Sequence, residues 1–309
     1  MEIINSNDFS KIQSETIATI GFFDGVHEGH RYLINQLKKQ AQEDGLKTAV
    51  ITFPIHPRKV LQKDYQPHLL NSFEERIKQL STLGIGYCYI IDFTPELAEF
   101  SAEDFMQKIL FQQLKVKGLL IGYDHRFGKG RSNAFKDYQE FGEKCGIKVY
   151  QAEKLQQGDK YVSSTLIRDL LSEGNVEKAA YYLSYYYSLQ GKVIRGDELG
   201  RTIDFPTANL ELTDKNKLIP PNGVYAVWVK IDKKCYAGMA YIGNRPTVSS
   251  FGEKRIEVHI FNFSENIYDK NIQIEWVQLI RPDMLFDNLQ DLQTQLEKDR
   301  KQSMKILQN

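Results

Sequence analysis

The sequence has little of what marks a specialised class of protein. Its three cysteines (Cys88, Cys145, Cys235) are widely separated and form no CxxC pair, which argues against a disulfide framework or a zinc site. Lys+Arg and Asp+Glu both number 40, so no basic excess is present to bind nucleic acid or a membrane surface. No apolar run approaches the roughly 20 residues of a membrane span. The first residues lack the basic region and apolar core of a signal peptide, so we expect a cytoplasmic protein without membrane or nucleic-acid partners.

Two common nucleotide-binding motifs are also missing. The chain contains no GxxxxGK[ST], and its first glycine-rich turn does not match GxGxxG. Apolar residues make up 41% and charged residues 26%, which is typical of a globular protein. At 309 residues the chain is long for a single core, so we expect two domains.

The first half alternates apolar, β-branched segments with amphipathic ones. Helix caps are indicated at Ser72 and Ser101, each followed by acidic residues. The strand candidates are 17–20, 47–53, 87–91, 118–121 and 147–151. This alternation predicts a Rossmann-like parallel sheet with helices on both faces, and ligands bind beyond the carboxyl ends of such strands.

A glycine-histidine stretch, GFFDGVHEGH at 21–30, follows the first of these strands and precedes a segment with helical spacing. A helix N-terminus attracts phosphate, and imidazoles there would add donors. The alternative is an ordinary N-terminal cap with incidental histidines. Two further loops, 122–131 and 162–168, fall at the same predicted edge and supply glycines, hydroxyls and the cations Lys129, Arg131 and Arg168.

The second half changes to a period of two from about residue 186. Strand candidates are 191–195, 224–231, 235–242, 255–263 and 272–280, followed by an amphipathic helix at 287–307. Several short strands in a row predict a small antiparallel β-barrel with a terminal helix.

Three residues of the second half suggest chemistry. Thr207 and Asn209 are two apart, so on an extended chain they face the same side, and their oxygens suit magnesium bridged to substrate phosphates. Glu257 alternates with apolar residues on a predicted strand. It is consistent with a general base for an alcohol, whereas periodicity alone favours a solvated strand residue.

The motifs of the first half carry a family resemblance. HxGH at 27–30 with SSTxIR at 163–168 resembles the nucleotidyltransferases that transfer adenylyl groups from ATP. GFFDGVHEGH, TFPIHP and GYDHRFGKGR are similar to the adenylyltransferase half of bacterial bifunctional riboflavin kinase/FAD synthetases. The resemblance implies phosphate contacts for His27 and His30. It implies nucleotide contacts for Gly21, Phe23, Asp24, Gly29, Asp124, Ser163, Ser164, Thr165 and Arg168, and flavin contacts for His56 and Pro57.

The second half resembles the riboflavin kinase domain of the same family. The matching motifs are GxxxGRxxxFPTANL from Gly196, then PPNGVYAVWV, YIGNRPTV and EVHIF. The resemblance implies a loop over the phosphates with Gly196, Gly200 and Arg201, Mg²⁺ and ATP bound by Thr207 and Asn209, Glu257 as catalytic base, and Arg245 near the flavin. Asp204 stands where the family commonly has glycine, and His125 where it more often has an aromatic residue.

The resemblance therefore implies an adenylyltransferase domain over 1–184 and a kinase domain over 185–309. The second would make FMN from riboflavin and ATP, and the first would make FAD from FMN and a second ATP. One alternative is that only one activity is competent. Another is a nucleic-acid-binding protein with an OB-like barrel, although Asp197, Glu198, Asp204, Glu253 and Glu257 give that barrel's site the wrong charge. A homo-oligomer is left open.

Overall fold

The computed structural model describes residues 1–62, 64–66, 68–123, 125–157, 160–196, 200, 203–244 and 254–308. The chain divides into two units, Met1–Ser164 and Thr165–Asn309. No described helix is long and apolar enough to cross a membrane.

The first unit alternates strands and helices, as the sequence predicts. Its strands are β1 (Glu2–Asn5), β2 (Thr16–Ile20), β3 (Lys47–Thr52), β4 (Tyr87–Ile90), β5 (Val116–Ile121), β6 (Lys148–Gln151), β7 (Gln156–Gln157) and β8 (Lys160–Tyr161). Its helices are α1 (Glu28–Asp44), α2 (Pro57–Leu61), α3 (Phe73–Ser81), α4 (Pro95–Ala98), α5 (Ala102–Asp104) and α6 (Phe135–Cys145). A π-helix covers Phe105–Gln113, and 3₁₀ turns cover Ser6–Lys11 and Lys129–Arg131.

Six strands form a parallel sheet in the order β1-β4-β3-β2-β5-β6. From β2 the chain proceeds through β3 and β4 on one side and through β5 and β6 on the other. The boundary between β2 and β5 is therefore a topological switch point, where the loops after these two strands diverge and leave a crevice for ligand. The sheet thus places residues 21–30 beside the loop after β5, which is described at 122–123 and 125–131.

Helices cover both faces of this sheet. Ala18 and Ile20 of β2 belong to a core with Leu110 of the π-helix, whereas Ile17 packs in a second core with Leu37 of α1. Successive strand residues point to opposite faces, so one short apolar strand supplies both cores. The prediction of a parallel sheet covered on both sides is confirmed.

The second unit contains a closed antiparallel barrel, which confirms the predicted architecture. The barrel order is β10-β13-β12-β11-β14-β9. Its strands are β9 (Ser188–Ile194), β10 (Ala208–Leu212), β11 (Gly223–Ile231), β12 (Lys234–Asn244), β13 (Lys254–Ile260) and β14 (Asn271–Pro282). The helices are α7 (Ser164–Ser172), which starts at the last residue of the first unit, α8 (Val176–Leu183) and α9 (Leu289–Leu307).

Helix α9 packs against the outside of the barrel. Asp299, which is 1% exposed, forms an ion pair with Arg281 of β14 at 2.9 Å, and Leu307 joins a core with Phe205. Gln293 also donates to the carbonyl oxygen of Ile203 at 3.4 Å. The terminal helix therefore supports the segment that leads to Thr207.

Candidate functional site

The two histidines of HxGH lie together at the start of α1. His27 is the N-cap residue, and its Nδ1 accepts a hydrogen bond from the main-chain N–H of His30 at 3.3 Å. The two rings stack with centroids 3.7 Å apart and an interplanar angle of 17°. A helix N-terminus carries N–H groups without intrahelical acceptors and the positive end of the dipole. The structure thus brings both predicted histidines to an anion-binding position.

The turn before α1 holds an uncommon backbone conformation. Phe23 and Val26 have φ values of 56° and 39°, beside Gly25 at 84°. A β-branched residue with positive φ is an outlier that persists only where the surroundings impose it. Phe23 and Val26 are both buried, at 3% and 0% exposure, and they pack in one apolar cluster. This packing holds the turn in the shape that presents His27.

Two glycines of the motif are required by close packing. A Cβ on Gly29 would lie 2.9 Å from the carbonyl oxygen of Val162 and 3.1 Å from the His27 ring. A Cβ on Gly21 would lie 3.0 Å from the Phe23 ring. The glycines therefore allow the 162–164 segment and the aromatic ring to approach the turn.

Asp24 joins three segments around the turn. Its buried carboxylate accepts hydrogen bonds from the main-chain N–H groups of Leu70 (3.0 Å) and Asn71 (3.2 Å). Its carbonyl oxygen accepts from Ser164 Oγ at 2.8 Å. These contacts hold the loop before α3 and the start of α7 against the turn that precedes α1. The nucleotide contact assigned to Asp24 by resemblance stays a prediction.

The His30 side chain has the properties of a neutral imidazole. Burial, followed by the charges of His27, Arg76 and His125, lowers its pKa well below the ordinary 6.5. Its Nδ1 is buried and has no hydrogen-bond partner among the described residues. A buried polar atom without a partner is costly, and a ligand group could satisfy it.

Arg76 is a buried residue of this site that the sequence analysis missed. Its guanidinium donates to the carbonyl oxygens of Phe22 and Phe53, the latter at 2.7 Å, and to Thr52 Oγ1 at 3.1 Å. It also lies over the Phe22 ring, 3.9 Å from the centroid. Burial lowers the pKa of Arg76 to about 10, so the group stays charged near neutral pH. One cation thus joins the loops that follow β2 and β3.

His56 and Pro57 lie at the start of the short helix α2. His56 is the N-cap residue, and its Nδ1 accepts from the N–H of Arg58 at 3.1 Å. Its half-buried ring meets Phe22 edge-on at 4.6 Å and lies 5.4 Å from Tyr65. The result is a small aromatic cluster above the carboxyl edge of the sheet, rather than an isolated histidine in solvent.

The loop after β5 is attached to its own unit by aromatic and ionic contacts. Phe127 stacks on Tyr138 at 4.6 Å, and Lys129 pairs with Glu99 at 2.6 Å on the surface. Asp124 and the side chain of Arg131 lie outside the described residues. Lys129 is therefore engaged with an acidic residue here, and its suggested phosphate contact stays a prediction.

Helix α7 carries the other motif of the first half. It begins at Ser164, immediately after Ser163, and Thr165 and Arg168 occupy its first turns. The division between the units falls between Ser164 and Thr165. Ser164 is tied to Asp24 as described above, whereas the contacts of Thr165 and Arg168 with a nucleotide stay predictions.

In the second unit, the barrel register brings the predicted oxygen ligands and the predicted base together. Asn209 of β10 lies opposite Glu257 of β13. Thr207 Oγ1 donates to Glu257 Oε2 at 2.8 Å. Arg255 Nε lies 2.8 Å from Glu257 Oε1 and 2.9 Å from Asn209 Oδ1. Glu257 is thus one member of a polar cluster, with its side chain only 21% exposed.

A histidine on the same strand also supports this cluster. His259, two residues after Glu257 and 9% exposed, lies with Nδ1 2.8 Å from the carbonyl oxygen of Pro206. Burial lowers the pKa of His259, which keeps it neutral. The face of β13 with Arg255, Glu257 and His259 therefore holds the segment 206–209 at three successive points.

Glycines make room for the cluster. A Cβ on Gly196 would lie 2.1 Å from Asn209 Nδ2, and one on Gly200 would lie 2.2 Å from the carbonyl oxygen of Phe205. Asp204 adopts a φ of 62°, the left-handed region that explains why glycine is common there and why aspartate is tolerated. Arg201 and Arg245 lie outside the described residues.

A cavity of about 400 Å³ opens beside Thr207. Its walls combine apolar residues with the polar segment 264–266, and they include Val193, Pro206, Ala208, Val258, Ile260, Phe263, Ile267 and Tyr268. A concave, mostly apolar pocket next to a polar cluster suits a planar base joined to a charged group.

The donor set near Thr207 fits magnesium better than a softer metal. Hydroxyl, carboxamide and carboxylate oxygens are hard ligands of the kind Mg²⁺ prefers. Within the described ranges no group of three or more His, Cys, Asp or Glu side chains could hold a metal alone. A metal here would therefore need ligands from a substrate.

Taken with the fold, these clusters, one in each unit, indicate a nucleotide-using transferase. The FAD synthetase family model matches residues 9–166, and the riboflavin kinase family model matches residues 183–307. The chain belongs to the family of bifunctional riboflavin kinase/FMN adenylyltransferases. The resemblance seen in the sequence is thereby confirmed.

Several proteins are similar to this chain over most of its length. The bifunctional riboflavin kinase/FMN adenylyltransferase of Bacillus subtilis (strain 168) is 37% identical over 304 residues, covering 96% of this chain and 94% of the relative. The protein of the same name from Escherichia coli (strain K12) is 34% identical over 288 residues, covering 93% and 91%. A crystal structure from Streptococcus pneumoniae, described as a macrolide-efflux protein, has a TM-score of 0.88 at 30% identity, covering 98% of this chain and 99% of that chain.

Proposed function

We propose that this chain phosphorylates riboflavin to FMN in its barrel and adenylylates FMN to FAD in its α/β unit, using one ATP for each reaction. The observation that carries the proposal is that each unit has a polar cluster formed by residues of its family motif. In the first unit this is the His27–His30 pair at the α1 N-terminus. In the second it is Thr207, Asn209 and Glu257.

In the kinase reaction Glu257 would remove the proton from the 5′-hydroxyl of riboflavin. The hydroxyl oxygen then attacks the γ-phosphorus of ATP, and ADP leaves. The Thr207 contact holds the carboxylate in one orientation, as a general base requires. We assign the adenosine of ATP to the cavity beside Thr207, which leads the phosphates towards the polar cluster.

Magnesium belongs to this proposal through its ligands. Thr207 and Asn209 would hold the ion together with oxygens of the nucleotide, in keeping with the preference of Mg²⁺ for substrate phosphates. When bound, it would neutralise charge on the transferred phosphoryl group. Gly196 leaves the space that the Asn209 side chain occupies.

In the adenylyltransferase reaction no general base is needed. The FMN phosphate is already an anion, so its oxygen attacks the α-phosphorus of ATP in line and pyrophosphate leaves. The site has to position the phosphates and stabilise their charge. The α1 N-terminus and the neutral imidazole of His30 would donate to them, and Ser163, Ser164, Thr165 and Arg168 would bind the triphosphate by family resemblance. We assign the flavin ring to the aromatic cluster of His56 and its neighbours.

Two assignments remain, the boundary between the functional domains and the cellular location. We propose a functional division at 184/185, within two residues of where the kinase family match begins. The three cysteines form no disulfide, which together with the use of ATP supports a cytoplasmic location.

Incubation with riboflavin, ATP and Mg²⁺, with the flavins separated over time, tests the function. We expect FMN first and FAD afterwards, and FMN that accumulates without conversion would contradict the bifunctional assignment. His30→Ala should abolish FAD formation and spare FMN formation. Glu257→Gln should abolish FMN formation and leave FAD synthesis from supplied FMN. Loss of both activities in either variant would indicate misfolding or a wrong assignment of the sites.

A further inference from the structure

Arg255 contacts both the predicted base, Glu257, and a predicted metal ligand, Asn209. It lies two residues before Glu257 on β13, so both side chains leave the same face of the strand. Its Nε is within hydrogen-bond distance of Glu257 Oε1 (2.8 Å) and of Asn209 Oδ1 (2.9 Å). A single N–H group therefore faces both oxygens.

One of the atoms that Arg255 contacts, Asn209 Oδ1, belongs to a proposed metal ligand, and the other belongs to the Glu257 carboxylate beside it. Asn209 Oδ1 and the Glu257 carboxylate are hard oxygen donors, and Thr207 Oγ1 is linked to the same carboxylate at 2.8 Å. Asn209 is 8% exposed and fixed by pairing with strands on both sides. Since two cations at one set of oxygens repel each other, the guanidinium and a metal ion compete for this position.

The arginine is the partner that can move. Its side chain is 24% exposed and that of Glu257 is 21% exposed, so their ion pair is partly solvated. Pairs with solvent access are weaker than fully buried ones, and a long arginine side chain can reorient around its own strand position. Phosphate oxygens of an incoming nucleotide would offer the guanidinium a bidentate acceptor.

We propose that Arg255 is a positioning residue that takes the cation's place in the nucleotide-free protein and gives way when a metal arrives with its nucleotide. The inference rests on the proposed kinase site. In the nucleotide-free state Arg255 holds Asn209 and Glu257 in their working orientation and opposes metal binding. Phosphates then supply ligands to the metal and an acceptor to the arginine, so the site takes the metal-nucleotide complex in preference to the bare ion.

Binding of Mn²⁺ to the full chain, followed by electron paramagnetic resonance of the unbound ion, tests the proposal. Without nucleotide, Arg255→Gln should bind Mn²⁺ about tenfold more tightly than the unchanged protein, because the competing charge is gone. Lys230→Gln removes the same charge from an exposed barrel position that pairs with Glu275. This control should bind Mn²⁺ as the unchanged protein does. Equal or weaker Mn²⁺ binding by Arg255→Gln would overturn the proposal.

Two further variants separate this inference from the kinase assignment. Arg255→Lys retains a cation without the planar donor fork, and it should give an intermediate Mn²⁺ affinity even if Arg255→Gln folds poorly. With ADP present, Thr207→Ala should weaken Mn²⁺ binding. If Thr207→Ala has no effect, the metal site itself is wrong. If it weakens binding while both Arg255 variants match the unchanged protein, the kinase site stands and the role of Arg255 fails.

Discussion

One buried guanidinium holds the carboxyl edge of the parallel sheet. Arg76 is 1% exposed and donates to main-chain oxygens of the loops after β2 and β3. The Phe53 contact is buried, and the Phe22 oxygen has besides the guanidinium only a longer hydrogen bond from Thr52 Oγ1 at 3.4 Å. The same cation lies over Phe22, which in turn contacts His56.

Arg76→Met should therefore destabilise the first unit by about 3 kcal/mol, because it leaves buried acceptors unsatisfied. Urea unfolding followed by circular dichroism measures the change. Lys78→Met, at an exposed position on the same helix, is the control and should stay within about 0.5 kcal/mol of the unchanged protein. A small effect at Arg76 would mean that the loops relax to satisfy one another.

Gly29→Ala gives a second prediction at the scale of the residue, because the usual effect of the substitution and the effect expected here are opposite. In an exposed helix, replacing glycine by alanine stabilises by about 1 kcal/mol. At Gly29 the new Cβ would meet the Val162 carbonyl oxygen at 2.9 Å and the His27 ring at 3.1 Å. We expect loss of FAD synthesis with FMN synthesis retained, measured by flavin separation. Unchanged FAD synthesis would show that the contact between the turn and residue 162 is dispensable.

At the scale of elements, periodicity located most strands to within a few residues but missed helices α6 and α2 and strand β10. The N-cap residue of helix α6 is Ala134, which has no side-chain hydroxyl or carboxylate for a cap, and the helix contains Gly142. A Cβ on Gly142 would lie 2.4 Å from the Ile147 carbonyl oxygen, so glycine is required by packing. The local pattern of apolar and polar residues does not show that requirement. Helix α2 is only five residues long and lies in a segment whose prolines signalled a break.

Strand β10 was missed for a different reason. The local sequence of this segment shows oxygen-bearing side chains rather than a clear strand pattern. Its strand character depends on pairing with β9 and β13. Motif spacing could place Thr207 and Asn209 on one side, but the register opposite Glu257 is set by the closed barrel. Arg255 and Arg76 were missed because most arginines are exposed, and only tertiary contacts distinguish these two. The offset of two residues between Arg255 and Glu257 was the one available signal.

The N-terminus of α1 yields a pH prediction. Burial and neighbouring cations lower the pKa of His30 below 6.5, so at lower pH the unfolded chain binds a proton that the folded one does not. Stability from this group is therefore complete above pH 6.5 and declines as pH falls below it, by up to about 1.4 kcal/mol per pH unit. Urea unfolding of the unchanged protein and of His30→Gln, compared between pH 6.5 and about 5, should show the smaller decline in the variant. Parallel declines would show that His30 is protonated in the folded state.

At the scale of the molecule, the two units have separate cores and separate spectroscopic reporters. The chain has two tryptophans, Trp228 and Trp276, and both lie in barrel strands. Tryptophan fluorescence therefore reports the barrel, whereas circular dichroism includes the helices of the first unit. A defect in one core should be visible to only some of these signals.

Asp299→Asn should shift the barrel transition seen by tryptophan fluorescence, because it leaves Arg281 beside α9 without its buried counter-ion. A loss of about 3 kcal/mol is expected from breaking such a pair. Arg76→Met should leave the fluorescence transition in place while changing the circular dichroism transition. If both variants moved both signals together, the units would unfold as one.

Closure of the barrel has a consequence for the order in which the kinase site forms. Thr207 and Glu257 are 50 residues apart in the chain, and they meet only when β10 pairs with β13. Such distant pairings carry the larger loop-closure entropy and form after local hairpins such as β11–β12. A nascent or refolding chain therefore brings the proposed base Glu257 to Thr207 only after its local hairpins have formed. Riboflavin phosphorylation by a refolding chain would consequently report that β10 has paired with β13.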